Sequence, residues 1–380
     1  MDTVLTIYIH WPFCRSKCPY CDFNSYAAAD VDHPRWRAAL LRELDYFAVE
    51  TAGRRVGSVF FGGGTPSLMA PETAAELIAL IRERRGFSED VEITLEANPT
   101  SVESGRFHAF REAGVNRLSL GLQALDDRAL RFLGRGHTAA EALSALDLAK
   151  RHFPRVSFDM IYGRPGQTVS SWRSELAEAL ALAGGHLSLY QLTVEPGTAF
   201  QARGVVETDE ESGAMLYETT DEMLKAHGFG AYEVSNYARP GEECRHNLAC
   251  WQGGDYLGIG PGAHGRLTSA RGTEALEQIA APEQWLKMVE ETGCGTAHRS
   301  VLSPHERRQE LLLCGLRLTE GVRRDRFLHL AGIDLEQAVD NNALRRMVEG
   351  GFLEIDGKGL RATGAGRLRL NAVLAGLLSG

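Results

Sequence analysis

Three cysteines near the start of the chain have the residue type and spacing of a metal centre. Cys14, Cys18 and Cys21 form a C-x3-C-x2-C loop directly after a β-rich run. Three thiolates in one loop can hold three irons of a cubane [4Fe-4S] cluster, and the fourth iron can then take the amino and carboxylate groups of a bound methionine moiety. A structural zinc site would need a fourth donor, and His10 is close enough in sequence to supply one. The spacing favours iron–sulfur, with zinc as the alternative.

The elements that must position these cysteines alternate between strand and helix patterns over the first two thirds of the chain. β-Rich runs predict six strands, at residues 4–10, 56–61, 91–97, 117–122, 156–161 and 187–193. Segments with 3.6-residue periodicity predict helices between them, at residues 34–51, 71–84, 101–113, 139–151 and 170–183. Six successive β-then-α units predict a parallel sheet with crossover helices.

Two arrangements of that sheet remain open, a doubly wound sheet and an incomplete barrel. The residues with chemical potential directly follow predicted strand ends: 62–66, 96–99, Gln123, Asp159 and Glu195. Loops of this kind gather at the mouth of a barrel, although a switch-point crevice would also collect some of them. We favour an α/β fold whose residues 1–228 form an incomplete (β/α)6 TIM-type barrel.

The remaining residues predict two further regions. Residues 229–302 are rich in glycine, aromatic and turn-forming residues and are interpreted as a connecting region. Residues 303–380 predict helices at 304–316, 323–330 and 334–349, then a β-hairpin that turns at Asp356 and Gly357. Helices followed by a hairpin indicate a winged-helix-like domain. Because it has few basic residues, packing or partner docking is favoured over DNA binding.

Composition restricts the classes of function. The 380 residues carry a formal net charge of -9, which argues against a nucleic-acid binder, since that would need a basic face. The first residues lack the basic stretch of a signal peptide, and no apolar run is long enough to span a membrane. Seven cysteines, three of them within eight residues, fit metal ligation in a reducing compartment better than a disulfide framework. We therefore expect a soluble cytoplasmic protein.

Seven ordered motifs carry a resemblance to a known family. The run YIHWPFCRSKCPYC at 8–21 resembles the opening of the radical S-adenosylmethionine proteins, and more narrowly their oxygen-independent coproporphyrinogen III oxidase branch. The similarity continues through FGGGTPS at 61–67, LEANP at 95–99, RLSLGLQ at 117–123, GRGH at 134–137, DMIYGRPGQT at 159–168 and YQLTVEPGT at 190–198. The resemblance implies a radical S-adenosylmethionine barrel in which S-adenosylmethionine completes the cluster on Cys14, Cys18 and Cys21.

The resemblance also implies which residues contact S-adenosylmethionine. The matching positions are Tyr8, Tyr20, Gly63, Gly64, Thr65, Glu96, Gln123, Arg135 and Asp159. A glycine run after a strand lets backbone groups approach a ligand closely, and an arginine can pair with its carboxylate through two hydrogen bonds. In the family, the reduced cluster gives one electron to the sulfonium, and a 5′-deoxyadenosyl radical then abstracts hydrogen from a substrate.

Three departures from the oxidase shift the resemblance to the HemW-type haem chaperones. Phe23 stands where the oxidase has a further cysteine, and only thirteen residues precede Cys14, where the oxidase has a substantial extension. The run HNLACW at 246–251 is similar to the H-N-x-x-Y-W motif of the haem chaperones. The resemblance implies a protein that binds haem and passes it to acceptor proteins, including through peripheral contact with membrane haemoproteins. Porphyrinogen oxidation is the alternative, and another radical reaction on a tetrapyrrole is a third.

Two residues of this run are candidates for the haem site. His246 is the hypothesised haem ligand, since histidine is a common axial ligand of haem iron. Cys250 replaces the usual tyrosine, and a helix would bring both residues to one face, because they are four positions apart. We expect Cys250 to pack rather than to bind iron. His264, in the run GPGAHG, is a second candidate.

Overall fold

Six parallel strands form the centre of the fold. The structure is a computed structural model that describes residues 4–378. The strands pair in chain order and are β1 (Leu5–Trp11), β2 (Val56–Gly63), β3 (Phe87–Ala97), β4 (Arg117–Gln123), β5 (Arg155–Tyr162) and β6 (His186–Gln191). Because their order never reverses, the sheet has no topological switch point of the doubly wound kind. The predicted α/β partial barrel is confirmed, and it is open.

Helices cover the outer face of these strands. The main ones are His33–Tyr46, Pro71–Arg85, Phe107–Glu112, Ala139–His152, Val169–Leu182 and Glu210–Ala226. Outward strand residues such as Ile7, Val59 and Leu118 join the helices in one large apolar core. Successive strand residues point to opposite faces, so the residues between them, such as Tyr8 and Ser119, line the concave face, here called the barrel interior.

Several predicted helices differ from the observed ones. The predicted helix 101–113 is divided into Ser101–Ser104 and Phe107–Glu112, with Gly105 between them. Glycine is a poor helix former, which accounts for the break. The predicted helix 334–349 is divided into a short 3-10 helix, Leu335–Gln337, and the α-helix Asn341–Glu349. The α-helix begins at Asn341 because the Asp340 side chain accepts from the N–H groups of Asn342 and Ala343 and caps it. The helix Glu210–Ala226 was not predicted.

Residues 229–302 add strands to both edges of the barrel sheet. At one edge, Asn236–Ala238 pairs antiparallel with β6 and with Gly230–Ala231. At the other edge, Tyr256–Ile259 pairs parallel with β1. Three antiparallel strands follow it outward, His264–Ser269, Gly272–Gln278 and Thr296–Val301, and the helix Pro282–Thr292 precedes the last of these. The helix Arg245–Trp251 lies between the two edge segments in sequence. The region predicted as a connector thus continues the sheet.

The C-terminal residues form a separate apolar core. Its helices are Pro304–Gly315, Arg324–Ala331, Asn341–Glu349 and Leu370–Leu378, of which the last was not predicted. The predicted hairpin is present as Leu353–Ile355 and Gly359–Ala362, and Val322–Arg323 adds a third strand. The Asp356 side chain accepts from the N–H groups of Lys358 and Gly359 at the turn. Within residues 4–378, no helix is long and apolar enough to cross a membrane.

Candidate active site at the carboxyl ends of the strands

The three predicted cluster cysteines lie in a loop that directly follows β1. All three thiols are free and half-buried. Each has a different polar neighbour: Thr65 Oγ1 donates to Cys14 Sγ (3.3 Å), Arg135 Nη1 donates to Cys18 Sγ (3.2 Å), and Ser25 Oγ lies 3.6 Å from Cys21 Sγ. Thr65 follows β2 and Arg135 follows β4, so the carboxyl ends of several strands converge on this loop.

His10 does not point a ring nitrogen at these thiols. Its Nδ1 lies 3.1 Å from Tyr8 Oη, and its Nε2 lies 2.9 Å from the carbonyl oxygen of Asn24. The zinc alternative therefore loses its fourth ligand. Among residues 4–378, no three His, Cys, Asp or Glu side chains are arranged around a single metal ion. A cubane keeps its thiolate ligands apart by the width of the cluster, and three thiolates without a fourth protein donor fit a [4Fe-4S] cluster with one open iron.

Arg135 is the hub of the hydrogen bonds around the cysteines. Besides Cys18, its guanidinium donates to Tyr20 Oη (3.4 Å), to the carbonyl of Gly121 (3.0 Å) and to Asn98 Oδ1. Asn98 in turn donates through Nδ2 to Thr65 Oγ1 (3.1 Å). These bonds join the loops after β2, β3 and β4 to the cysteine loop. The sequence placed Arg135, Tyr20 and Thr65 at this site, and the structure brings them together.

Two buried polar atoms in this region have no partner within the described chain. They are Gln123 Oε1 and Arg135 Nε. A Cβ added at Gly121 would lie 2.9 Å from Gln123 Nε2 and 3.2 Å from Arg135 Nη2, so the two side chains meet over this glycine. Gln123 also has φ 71°, which among the described residues other than glycine is the only positive φ. Unpaired buried polar atoms and a strained backbone are costly and cluster at ligand sites, so these residues fit a polar ligand such as S-adenosylmethionine.

The glycine run after β2 makes room for the cysteine loop itself. A Cβ at Gly64 would lie 2.8 Å from the carbonyl oxygens of Pro12 and Phe13. The Gly64 N–H donates to the carbonyl of Trp11 (2.7 Å), and the Gly63 N–H donates to the Glu96 carboxylate. The N–H groups of both glycines are therefore already used within the chain, and a backbone contact from them to a ligand would come through their carbonyl groups.

Glu96 and Asp159 give the barrel interior an acidic wall. Burial raises the pKa of Glu96 to about 8, and the neighbouring Asp159 carboxylate adds to this rise. Burial also raises the pKa of Asp159 to about 6, although Ser188 and Arg117 oppose the rise. Tyr190 is 42% exposed and lies near both carboxyl groups. With both pKa values raised, the pair holds a proton more readily than exposed carboxyl groups do, and its oxygens favour ligands that donate hydrogen bonds or carry positive charge.

The other end of the barrel is closed by the helix Arg245–Trp251. Its His246 is buried, with Nδ1 3.3 Å from Ser58 Oγ and its ring near those of Phe60 and Tyr8 (centroids 4.9 and 6.1 Å away). The Glu92 carboxylate accepts from the backbone N–H of His246 (3.3 Å) and from the Cys244 thiol (3.5 Å). Burial lowers the pKa of His246 to about 3, so its ring is neutral. His246 thus lies at the amino ends of the strands, opposite the cysteine loop.

Cys250 shares this helix with His246 but lies towards the C-terminal domain. Burial raises its pKa to about 12, and the neighbouring thiols Cys244 and Cys314 add to the rise. Cys314 belongs to the helix Pro304–Gly315 of that domain. A thiol that stays protonated is a poor iron ligand, which fits the expected packing role. His264, in contrast, is exposed.

Two residues at the site, Asn98 and His137, were not singled out from the sequence, and a third, His10, was considered only as a zinc ligand. Asn98 bridges Arg135 and Thr65, His10 bridges Tyr8 and Asn24, and His137 Nε2 lies 3.1 Å from the carbonyl of Leu122. All three stand inside recognised motifs, LEANP, YIHWPFC and GRGH. Their position inside these motifs indicated that they lie near the site, but it did not show which residue each polar side chain would contact.

Comparisons with known proteins agree with this geometry. Residues 8–179 match the radical SAM superfamily, and residues 302–369 match the HemN C-terminal domain. The chain is 36% identical to heme chaperone HemW of Haemophilus influenzae, over 97% of each chain. The chain belongs to the HemW family of radical S-adenosylmethionine proteins. Another relative of this chain is the radical S-adenosyl methionine domain-containing protein 1, mitochondrial, of Bos taurus, which is 42% identical over 98% of this chain and 87% of that protein.

The HemW fold has a solved counterpart in coproporphyrinogen III oxidase (HemN) from Escherichia coli. The two structures superpose with a TM-score of 0.84, over 99% of this chain and 90% of the oxidase, at 23% sequence identity. This likeness covers both the barrel and the C-terminal domain, and at this level of identity it is a likeness of fold alone.

Proposed function

We propose that this protein is a haem chaperone, which binds haem and transfers it to acceptor proteins. The observation that carries the proposal is the similarity, over nearly the whole chain, to a relative named as a heme chaperone. That similarity extends through the segment that holds His246 and through the C-terminal domain. A cytoplasmic location is part of the proposal and is supported by seven free cysteines.

The cysteine loop would hold a [4Fe-4S] cluster through Cys14, Cys18 and Cys21, with exchangeable S-adenosylmethionine at its open iron. Arg135 Nε and Gln123 Oε1 are the unpaired atoms that such a ligand would satisfy. The other proposed contacts are Tyr8, Tyr20, Gly63, Gly64, Thr65, Glu96 and Asp159. Such a cluster would supply one electron to the sulfonium of the ligand, and the chain's residues would bind and orient the ligand and exclude water from it.

His246 is the proposed haem ligand, and its position restricts how haem can reach it. The ring is buried against Phe60 and Tyr8 and bonds to Ser58. Haem iron can bind His246 only from the barrel interior or after the helix Arg245–Trp251 moves. His264 is exposed, so haem could reach it without any movement of the chain, and its substitution is the control for that of His246.

The barrel interior gives no support to the alternative of porphyrinogen oxidation. Coproporphyrinogen carries four propionate groups, whereas the interior presents Glu96 and Asp159 near Tyr190. The nearby cation Arg117 is buried and lies 3.9 Å from Glu92, deeper in the barrel. A polyanionic substrate would therefore meet two carboxyl groups at this wall.

Haem titration after anaerobic reconstitution tests the proposal. Wild type is expected to develop a Soret band at one haem per chain and to load an apo-haemoprotein with haem. His246→Ala should lose the band, whereas His264→Ala and Cys250→Ala should keep it. An unchanged band in His246→Ala removes that ligand assignment. Conversion of coproporphyrinogen to protoporphyrinogen, in the presence of reductant and S-adenosylmethionine, would overturn the chaperone proposal.

A further inference from the structure

The Asn24 side chain joins the cysteine loop to a distant part of the sheet. Asn24 lies three residues after Cys21, and its Nδ2 donates to the carbonyls of Pro261 (3.0 Å) and Ala280 (2.9 Å). Both carbonyls belong to residues 256–280, here called the sheet extension, which pairs with β1 through Tyr256–Ile259. Its Oδ1 accepts from Tyr26 Oη (3.0 Å). One amide therefore uses both of its donors and its acceptor in a single geometry.

The backbone of the same residue is held from the barrel side. His10 Nε2 lies 2.9 Å from the Asn24 carbonyl oxygen and therefore donates to it, which leaves Nδ1 to accept from Tyr8 Oη (3.1 Å). Ser25, the next residue, lies against Cys21 Sγ. Asn24 is thus fixed between β1 and the sheet extension, directly beside a cluster ligand.

The sheet extension is itself firmly anchored and closely fitted to Asn24. The buried Glu43 carboxylate accepts from the N–H groups of Gly260 and Gly295, both at 2.8 Å. A Cβ added at Gly262 would lie only 2.4 Å from Asn24 Nδ2, so glycine at this position lets the two segments meet. The extension follows the helix that carries His246, and it therefore connects that helix to the cysteine loop.

We propose that Asn24 is a positioning residue for the cluster. Its amide holds residues 21–25 against the sheet extension, so the position of Cys21 depends on the extension as well as on β1. This inference rests on the proposed cluster at Cys14, Cys18 and Cys21, but not on haem binding.

Substitution of Asn24 in the full-length protein tests the proposal. Asn24→Asp places a carboxylate oxygen against two carbonyl oxygens, and Asn24→Ala removes all three hydrogen bonds. Both variants should lose iron to a chelator about tenfold faster than wild type, since the two hydrogen bonds to the sheet extension are lost. Both should also shift the midpoint potential of the cluster and its electron paramagnetic resonance spectrum. Tyr26→Phe removes only the Tyr26 contact and is the matched control, with wild-type values expected.

A substitution in the sheet extension tests whether the extension itself affects the position of Cys21, as distinct from a local defect in the cysteine loop. Gly262→Ala changes no residue of the cysteine loop but presses on Asn24, and it should produce the same spectral shift. In the metal-free protein, both Asn24 variants should let Cys21 react faster with iodoacetamide, as measured by peptide mass spectrometry, while Cys294 reacts at the wild-type rate.

The outcomes distinguish this inference from the function it rests on. Failure of wild type to assemble a cluster would refute the proposed cluster. Assembly in wild type together with unchanged spectra, iron loss and Cys21 reactivity in Asn24→Asp and Gly262→Ala would overturn the positioning role. A lowered melting temperature with an unchanged cluster spectrum would also overturn it, because Asn24 would then be only structural.

Discussion

The surroundings of the cysteine loop and those of His246 differ in whether their polar side chains have hydrogen-bond partners within the chain. At the carboxyl ends of the strands, the three cysteine thiols are half-buried, and Gln123 Oε1 and Arg135 Nε have no partner within residues 4–378. At the amino ends, the Glu92 carboxylate accepts from the Arg155 guanidinium (2.5 Å), the Cys244 thiol (3.5 Å) and the backbone N–H of His246 (3.3 Å). The polar atoms beside the cysteine loop lack partners without a ligand, whereas the Glu92 carboxylate beside His246 is paired within the chain itself.

This difference distinguishes groups that a ligand would complete from groups that stabilise the fold. Buried polar groups in native proteins are nearly always paired, so unpaired atoms beside three free thiols fit a site where a ligand binds. The candidate haem ligand His246 lies beside Glu92, where its Nδ1 already bonds to Ser58. Haem binding there must therefore compete with existing contacts, whereas cluster binding at the other end completes contacts that are missing.

Cysteine substitutions at the two ends give the largest expected contrast. Cys18→Ala should abolish the cluster, because a cubane held by two thiolates is not retained. Cys244→Ala, at the amino end, should keep wild-type iron and sulfide content. Metal and sulfide analysis after anaerobic reconstitution measures both. Equal iron contents in the two variants would contradict the assignment of Cys18, and not Cys244, as a cluster ligand.

Glu92→Gln is expected to destabilise the protein by about 3–5 kcal/mol, because it leaves Arg155 and Arg117 without their buried carboxylate partner. Urea unfolding of the metal-free protein measures this loss. The surface pair Arg151–Asp147 offers the control: Asp147→Asn should change the free energy of unfolding by less than about 1 kcal/mol. A change of less than about 1 kcal/mol in the free energy of unfolding of Glu92→Gln would contradict the stabilising role of this carboxylate.

Glu43, which anchors the sheet extension, gives a pH dependence of stability. Burial raises its pKa from 4.5 to about 7, opposed by the N–H groups of Gly260 and Gly295. Between those values the folded protein holds a proton that the unfolded chain has released. Stability should therefore fall as pH rises from about 4.5 to 7, by up to about 3 kcal/mol from this residue. Glu43→Gln should flatten that slope in urea unfolding at pH 5 and 7.5, and an unchanged slope would contradict the raised pKa.

Arg135→Lys should weaken binding of S-adenosylmethionine about 10- to 100-fold, because lysine cannot reproduce the several directed hydrogen bonds of the guanidinium. Isothermal titration of the reconstituted protein measures the change. The control is Arg173→Lys, whose side chain pairs with Glu222 on the outer helices. Equal affinities in the two variants would remove Arg135 from the ligand site.

The strands of the barrel were predictable because their signal is local. Each is a short β-rich run, and all six were placed within a few residues of their observed bounds. The sheet extension was not predicted, since its pairing joins Thr6 to Tyr256, and pairing over such a separation leaves no periodic mark in a glycine-rich segment. Spacing and motifs predicted that Cys14, Cys18 and Cys21 share one loop, and their role as cluster ligands stays a prediction. The contacts of Asn24 and His10 were not predicted, because a polar residue inside a motif does not reveal its partner.

The segment that closes the amino end also ties the two edges of the open sheet together. Asn236–Ala238 is attached to β6, Tyr256–Ile259 is attached to β1, and the helix Arg245–Trp251 lies on the chain between them. The segment acts as a tether across the gap of the barrel. Unwinding its seven helical residues would lengthen it by about 13 Å, from the rise of an extended chain against that of a helix. Sideways widening of the barrel and release of His246 from its burial would then be one event.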